Sequence, residues 1–231
     1  MRLRVERHEV EVALSPALAP AAGAVIQRLR QGFDLDADPA AIDAALSALP
    51  GGAGTRVPSG LCGWEMAVRV ILGQQVTVAA ARTLTRRLVD ALGEPIETPF
   101  ADLTRLFPSA ARIARASAEE IGRLGIVQQR VGALRALAAE VHAGRIGLHR
   151  GAPLAATQDA LRALPGIGEW TVQLIAMRAL AWPDAFPATD IGVMKALGTR
   201  DAKAIAALSQ AWRPWRSYAV MRLWQTLETG T

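Results

Sequence analysis

The 231-residue chain has one cysteine, one tyrosine, three histidines and two lysines. A single cysteine, Cys62, excludes an intramolecular disulfide framework and any cysteine-ligated cluster, and alone it reads as a small buried hydrophobe. His8, His142 and His149 are too scattered in the sequence to suggest a zinc site. The stretch Met1–His8 has no apolar signal core, and no uninterrupted apolar run approaches the ~18 residues that cross a bilayer. A cytoplasmic, nucleoid-associated protein without a targeting signal is expected. Lys195 and Lys203 are the only lysines among 26 basic residues, and the formal net charge of +5 mildly favours a polyanionic partner.

What is present is mostly helical patterning. Arg4 to Leu14 alternates apolar and polar residues and reads as a strand. Ser15-Pro16 opens a helix to about Arg30, with Ser15 as its cap. A turn from Phe33 to Pro39 leads into a helix from Ala40 to Leu49, and a Gly- and Pro-rich loop runs from Leu49 to Gly60. Further helices are expected over 64–72, 76–92, 109–116, 118–124, 127–143, 158–164, 169–180, 191–197, 201–212 and 215–227. The segment from Val127 to Ala143 carries the clearest amphipathic stripe, through Val131, Leu134, Leu137 and Val141.

One junction stands out. Leu164-Pro165-Gly166-Ile167-Gly168-Glu169-Trp170-Thr171 is a tight link between two helices, and Asp190 follows 19 residues after Thr171 in Phe186-Pro187-Ala188-Thr189-Asp190. Glycines in such a link can take positive φ and approach a ligand closely. The helix after it starts with free N–H groups facing the turn, an anion site suited to phosphate. A Pro-Gly turn by itself is as often a mere connection.

Hairpin, Trp170, Asp190, the later Arg213-Pro214-Trp215-Arg216-Ser217-Tyr218 and the upstream Val68–Ala79 stretch with Gly73-Gln74-Gln75 together resemble the helix-hairpin-helix DNA glycosylase superfamily. The resemblance is strongest to its alkyl-base branch, the DNA-3-methyladenine glycosylase II type, and runs from about Phe33 to about Trp224. It implies a mainly α fold of two helical lobes with a cleft between them, over residues 33–231. Members carry an antiparallel β domain at the amino terminus; here one strand and one helix precede Phe33, so residues 1–32 read as a truncated β/α element. A reduced version, pairing with another chain and an incomplete start all remain open.

The resemblance also implies roles. Asp190 matches the catalytic aspartate, and capping of the helix from Ile191 is its structural alternative. Trp170 and Trp224 match walls of the base pocket, joined by Leu174 and Ile191 where the family often has tyrosines; Trp64, Trp182, Trp212 and Trp215 are expected in the core. Gly166, Gly168 and Thr171 match positions whose amides meet phosphate, with Gln74 and Gln75 as further DNA contacts and Gln75 in the place of the family's apolar wedge. The carbonyls of Arg162, Leu164 and Ile167 match a structural monovalent-cation site, and no cofactor is expected for catalysis.

Trp170 stands where lyase members carry the lysine that forms a Schiff base, which implies a monofunctional hydrolase. Lys195 does not match that position and reads as solvated. The absence of carboxy-terminal cysteines argues against iron–sulfur members. Asp184 matches no catalytic position and reads as an exposed turn residue. The implied function is excision of alkylated purines, such as 3-methyladenine and 7-methylguanine, from damaged duplex DNA by a monomer. A noncatalytic helix-hairpin-helix DNA-binding module and a uracil or deaminated-base glycosylase are the alternatives.

Overall fold

Six helices begin on a side chain that accepts a hydrogen bond from the first turn: Asp38, Thr77, Ser109, Ser117, Asp190 and Asp201. Short polar residues at these points satisfy amides that the helix leaves unbonded. A computed structural model describes residues 2–5 and 9–229. Its helices are α1 (Ala22–Gly32), α2 (Pro39–Ala45), α3 (Gly63–Leu72), α4 (Val78–Leu92), α5 (Ala110–Arg115), α6 (Ala118–Gly122) and α7 (Gln128–His142). They continue with α8 (Leu154–Arg162), α9 (Glu169–Arg178), α10 (Ile191–Ala196), α11 (Ala202–Leu208) and α12 (Arg216–Thr229).

The expected single strand over 4–14 is a hairpin. β1 (Arg2–Val5) pairs antiparallel with β2 (Val10–Ala13), with Leu3 opposite Val12 and Val5 opposite Val10. The apolar phase carries the reason: Leu3 and Val5 sit at odd numbers, Val10, Val12 and Leu14 at even ones, and the phase breaks where the chain turns back. Glu6, Arg7 and His8, part of that expected strand, lie outside the described residues. Ser15 makes no side-chain cap, because Pro16–Ala21 winds as a 3-10 segment before α1 begins. The helix expected over 158–164 starts four residues earlier, at Leu154, and stops at Arg162.

α3 lies at the centre, with Ala67, Val68, Ile71 and Leu72 buried as it packs on α7 and α9. Gly63 makes its start possible, since a Cβ there would lie 2.0 Å from the Leu148 carbonyl oxygen. α5 and α6 cover α7, and α12 packs on α10. The expected core tryptophans follow in part. Trp212 is buried, whereas Trp64, Trp182 and Trp215 pack against the core half-buried.

The carboxy-terminal helix is fastened to the first third of the chain by buried polar bonds. Tyr218 donates its hydroxyl to Asp34 Oδ2 at 2.7 Å, and burial with that bond pushes the phenol well above its ordinary pKa. The same carboxylate accepts the Val57 N–H at 3.1 Å. Arg222 donates to the Leu46 carbonyl at 2.8 Å and pairs with Asp43. Losing any of these partners strands a buried polar group, which makes such bonds costly to break. They hold the end of the chain in the register that the site needs.

Candidate active site

Asp190 is 9% exposed and its carboxylate is held from three directions. Oδ1 accepts the Val193 N–H at 3.0 Å, as a cap for α10, and the Trp224 indole N–H at 2.8 Å. Oδ2 accepts the Trp170 indole N–H at 2.9 Å. A carboxylate has about four acceptor positions, so these three donors leave capacity on Oδ2 alone. No lysine, arginine or histidine among the described residues forms an ion pair with Asp190, so its negative charge has no cationic partner.

The segment carrying Asp190 is held by hydrogen bonds and a ring contact. Gln173, on α9, accepts the Phe186 N–H at 3.0 Å through its side-chain oxygen, and Asp190 itself donates its N–H to Pro187. Phe186 meets Trp212 edge to face with centroids 5.7 Å apart. Trp224 is backed by Arg178, whose guanidinium carbon lies 5.5 Å from the ring centroid. Burial pulls the Arg178 guanidinium below its ordinary pKa, and a 2.6 Å hydrogen bond donated to the Pro58 carbonyl oxygen fixes its position over the ring. Cation–π contact of this kind contributes about 0.5–2 kcal/mol and fixes the plane of the indole.

Between α8 and α9 the hairpin turns at Gly166, φ 76°, where a Cβ would crowd the Gln129 carbonyl oxygen at 3.1 Å. Ile167 is buried and anchors the turn, donating to the Leu164 carbonyl oxygen at 3.3 Å. Gly168 has an ordinary φ of −91°, so only Gly166 needs the left-handed region. At Gly168 a Cβ would meet open space, so that face of the turn is accessible. The amides of Glu169, Trp170 and Thr171 head α9 and have no acceptor within the helix. Arg162 pairs with Asp159 at 2.8 Å and Glu169 at 2.9 Å, and hydrogen bonding to Arg162 holds the Glu169 carboxyl below its usual range. This arrangement offers phosphate a set of backbone donors with most side-chain charge already paired.

A family described as "HhH-GPD superfamily base excision DNA repair protein" matches residues 68–213. The chain belongs to the HhH-GPD superfamily. Residues 1–61 match a second family, the AlkA N-terminal domain. The "DNA-3-methyladenine glycosylase 2" of Escherichia coli K12 is 31% identical over 223 residues, covering 96% of this chain and 78% of that protein. A Mycobacterium tuberculosis (strain CDC 1551 / Oshkosh) protein named "Probable bifunctional transcriptional activator/DNA repair enzyme AlkA" is 41% identical over 212 residues. That alignment covers 87% of this chain but 42% of the longer relative. The solved structure of a 3-methyladenine DNA-glycosylase from Archaeoglobus fulgidus superimposes with a TM-score of 0.76 at 20% identity. It spans 96% of this chain and 80% of that one. The mainly helical HhH-GPD fold with a small amino-terminal β/α element is thereby shown.

Within this HhH-GPD fold Asp190, Trp170 and Trp224 come together although 20 and 34 residues separate the indoles from the carboxylate. Leu174, expected as a pocket wall, is 9% exposed and packs in the hydrophobic core with its α9 neighbours Val172 and Ile175. Ile191 is 64% exposed beside Asp190 and presents its side chain to solvent. Lys195 is exposed, as expected.

The side-chain NH₂ of Gln74, expected to contact DNA, is engaged within the protein. Its amide donates to the Gly166 carbonyl oxygen at 3.0 Å and to Thr171 Oγ1 at 2.9 Å. Thr171 is buried for the same reason, leaving only its main-chain N–H for a phosphate role. Gln75 is exposed, with φ 51°. Cys62 is exposed rather than buried, since it precedes the first residue of α3.

Asp184 overturns its expected place most clearly. It is 6% exposed, with Arg216 bound to both carboxylate oxygens at 2.7 and 2.9 Å and Arg213 at 3.0 Å. Gly192 adjoins the site without any signal in the sequence. A Cβ there would lie 2.7 Å from Cδ1 and Nε1 of Trp224 and 3.0 Å from Asp190 Oδ1. Gly192→Ala is expected to push the indole off Asp190 while the fold persists. The check is base release, about tenfold or more slower, at an unchanged far-ultraviolet circular dichroism spectrum.

Proposed function

We propose that this chain is a monofunctional DNA glycosylase that releases alkylated purines from duplex DNA. The observation that carries this reading is the Asp190 carboxylate, fixed by two indole N–H groups and without a cationic partner, in the segment that follows α9 and its phosphate-facing hairpin. A nucleotide swung out of the stack brings its C1′ into reach of that carboxylate. A purine methylated at N3 or N7 is already cationic. When the C1′–N bond breaks, the electron pair goes to the base, which leaves neutral, and the positive charge passes to the sugar. Asp190 faces this oxocarbenium-like sugar with a fixed negative charge, and water then adds at C1′ and loses its proton.

A neutral base needs protonation to leave well. Among the described residues no second carboxylate and no imidazole bonds to Asp190, Trp170 or Trp224, which favours the cationic leaving group over uracil. Trp170 and Trp224 present aromatic surface that attracts a cationic purine. The amides at Gly166, Gly168 and Thr171 bind phosphate beside the lesion, giving affinity without sequence preference. Gln75 enters the stack where the base has left.

The carbonyls of Arg162, Leu164 and Ile167 would hold a monovalent cation. Hard oxygen donors at the turn fit one, and the Arg162 guanidinium, paired with two carboxylates, does not oppose it. Such a cation would add electrostatic attraction for phosphate and no chemistry. Duplex DNA containing damaged bases is the proposed partner, with a monomer acting on it. No helix among the described residues is long and apolar enough to cross a membrane.

The test is incubation with methylated duplex DNA and identification of the released bases by chromatography. Free 3-methyladenine or 7-methylguanine is the expected result. No released base under single-turnover conditions overturns the proposal. With an indole in the lysine position, borohydride is expected to trap no protein–DNA adduct, and the abasic product stays uncut until base is added. A trapped adduct would assign the strand-cleaving role to another amine.

A further inference from the structure

The turn between α3 and α4 holds Gln75 in the left-handed region, φ 51°, which any residue with a Cβ disfavours. Disfavoured backbone persists only where the surroundings over-determine it. The determinant lies one residue earlier. The Gln74 N–H donates to Ile71 at 3.2 Å, and the Gln74 carbonyl oxygen accepts a 2.6 Å bond from Arg130 on α7. Its side-chain amide has two N–H donors, and both are used, one on Gly166 of the hairpin and one on Thr171 of α9. One residue thus bonds to four segments while its successor points outward and exposed.

We propose that Gln74 is a positioning residue that holds Gln75 in its left-handed conformation and in fixed register with the hairpin. Insertion of Gln75 into DNA and capture of phosphate by the hairpin amides then occur as one rigid-body event. Glutamine suits the task because its amide offers two donors without bringing a charge into the part-buried turn. Glutamate has no donor for the Gly166 carbonyl, and alanine reaches neither partner. The inference rests on the glycosylase reading above, with Gln75 as the residue that enters the stack.

The test is a double-mutant cycle on Gln74→Ala and Gln75→Ala. Its readouts are single-turnover release from methylated duplex DNA, the affinity for a duplex bearing an abasic-site analogue, and Tm. Gln74→Ala is expected to slow release about tenfold and to weaken analogue binding. In the Gln75→Ala background the same change is expected to cost less than twofold, because the residue it positions is gone. Gln74→Glu should behave as Gln74→Ala does. Gln75→Gly should hold or raise Tm while slowing release, since glycine takes φ 51° freely.

Equal losses from Gln74→Ala in both backgrounds would overturn the proposal by showing that Gln74 acts only on the fold. Should Gln74→Ala not fold, Thr171→Val removes one of its bonds and enters the cycle instead, with the same two expectations. A wild-type protein that releases no base but shows coupling in analogue binding would defeat the glycosylase reading alone. An active wild type with additive losses would defeat only this inference.

Discussion

Asp190→Asn is expected to lower base release by a factor of about 10²–10³, the range for removing one preorganised electrostatic group from an active site. The amide keeps one oxygen, enough to cap α10 through Val193 and to accept from Trp224. Its other terminus becomes an NH₂ facing the Trp170 indole N–H, two donors where the wild type has donor and acceptor. The variant therefore loses the charge that the proposed mechanism sets opposite the sugar and also frees the Trp170 indole. A modest fall in stability, about 1–3 kcal/mol, accompanies an unpaired buried donor. Single-turnover release and thermal unfolding separate the two effects. Release at the wild-type rate would sink the assignment of Asp190.

Asp184→Asn is expected to do the reverse. Removing one member of a buried ion pair costs about 3–5 kcal/mol, because the partner charge stays buried without compensation. Here Arg216 is buried with it, and Arg213 shares the same carboxylate. For a chain of this size Tm should fall by about 10 °C. Ser217 reinforces the same junction, accepting the Ala185 N–H at 3.0 Å and donating to the Trp182 carbonyl oxygen at 2.7 Å. Through these bonds the stretch leading to Asp190 is tied to the start of α12, the helix that carries Trp224. Well below its Tm, the Asp184→Asn protein should still release base; an unchanged Tm would show that the pair adds no stability.

These two aspartates also show where the sequence is legible. The cap that Asp190 makes on α10 is local and legible, while the sequence singles the residue out through its resemblance to a family pattern: the hairpin before it, the Phe-Pro-Ala-Thr-Asp segment and the helix after it. Asp184 is not legible, since Trp182-Pro183-Asp184 has the composition of an exposed turn and its arginines lie about thirty residues away. The pair of arginines in Arg213-Pro214-Trp215-Arg216 is the available signal, two charges on either side of a half-buried tryptophan. Helix spans followed from capping residues and apolar spacing, both local. Gln74 escaped for a different reason. Two adjacent glutamines in a turn are chemically alike, and which one faces inward depends on a φ value and on a hairpin more than ninety residues downstream.

The pair of indoles on Asp190 has an optical consequence. Two of the six tryptophans donate directly to one anionic group, and one of them also stacks on a guanidinium. Indole absorption and emission shift with the electric field along the ring, so protonating or displacing this carboxylate changes the intrinsic signal of both chromophores. The native protein thereby carries its own label at the centre of the site. A stopped-flow trace of tryptophan emission, compared with traces from Trp170→Phe and Trp224→Phe, would follow the arrival of a flipped base in methylated duplex DNA that carries no added label.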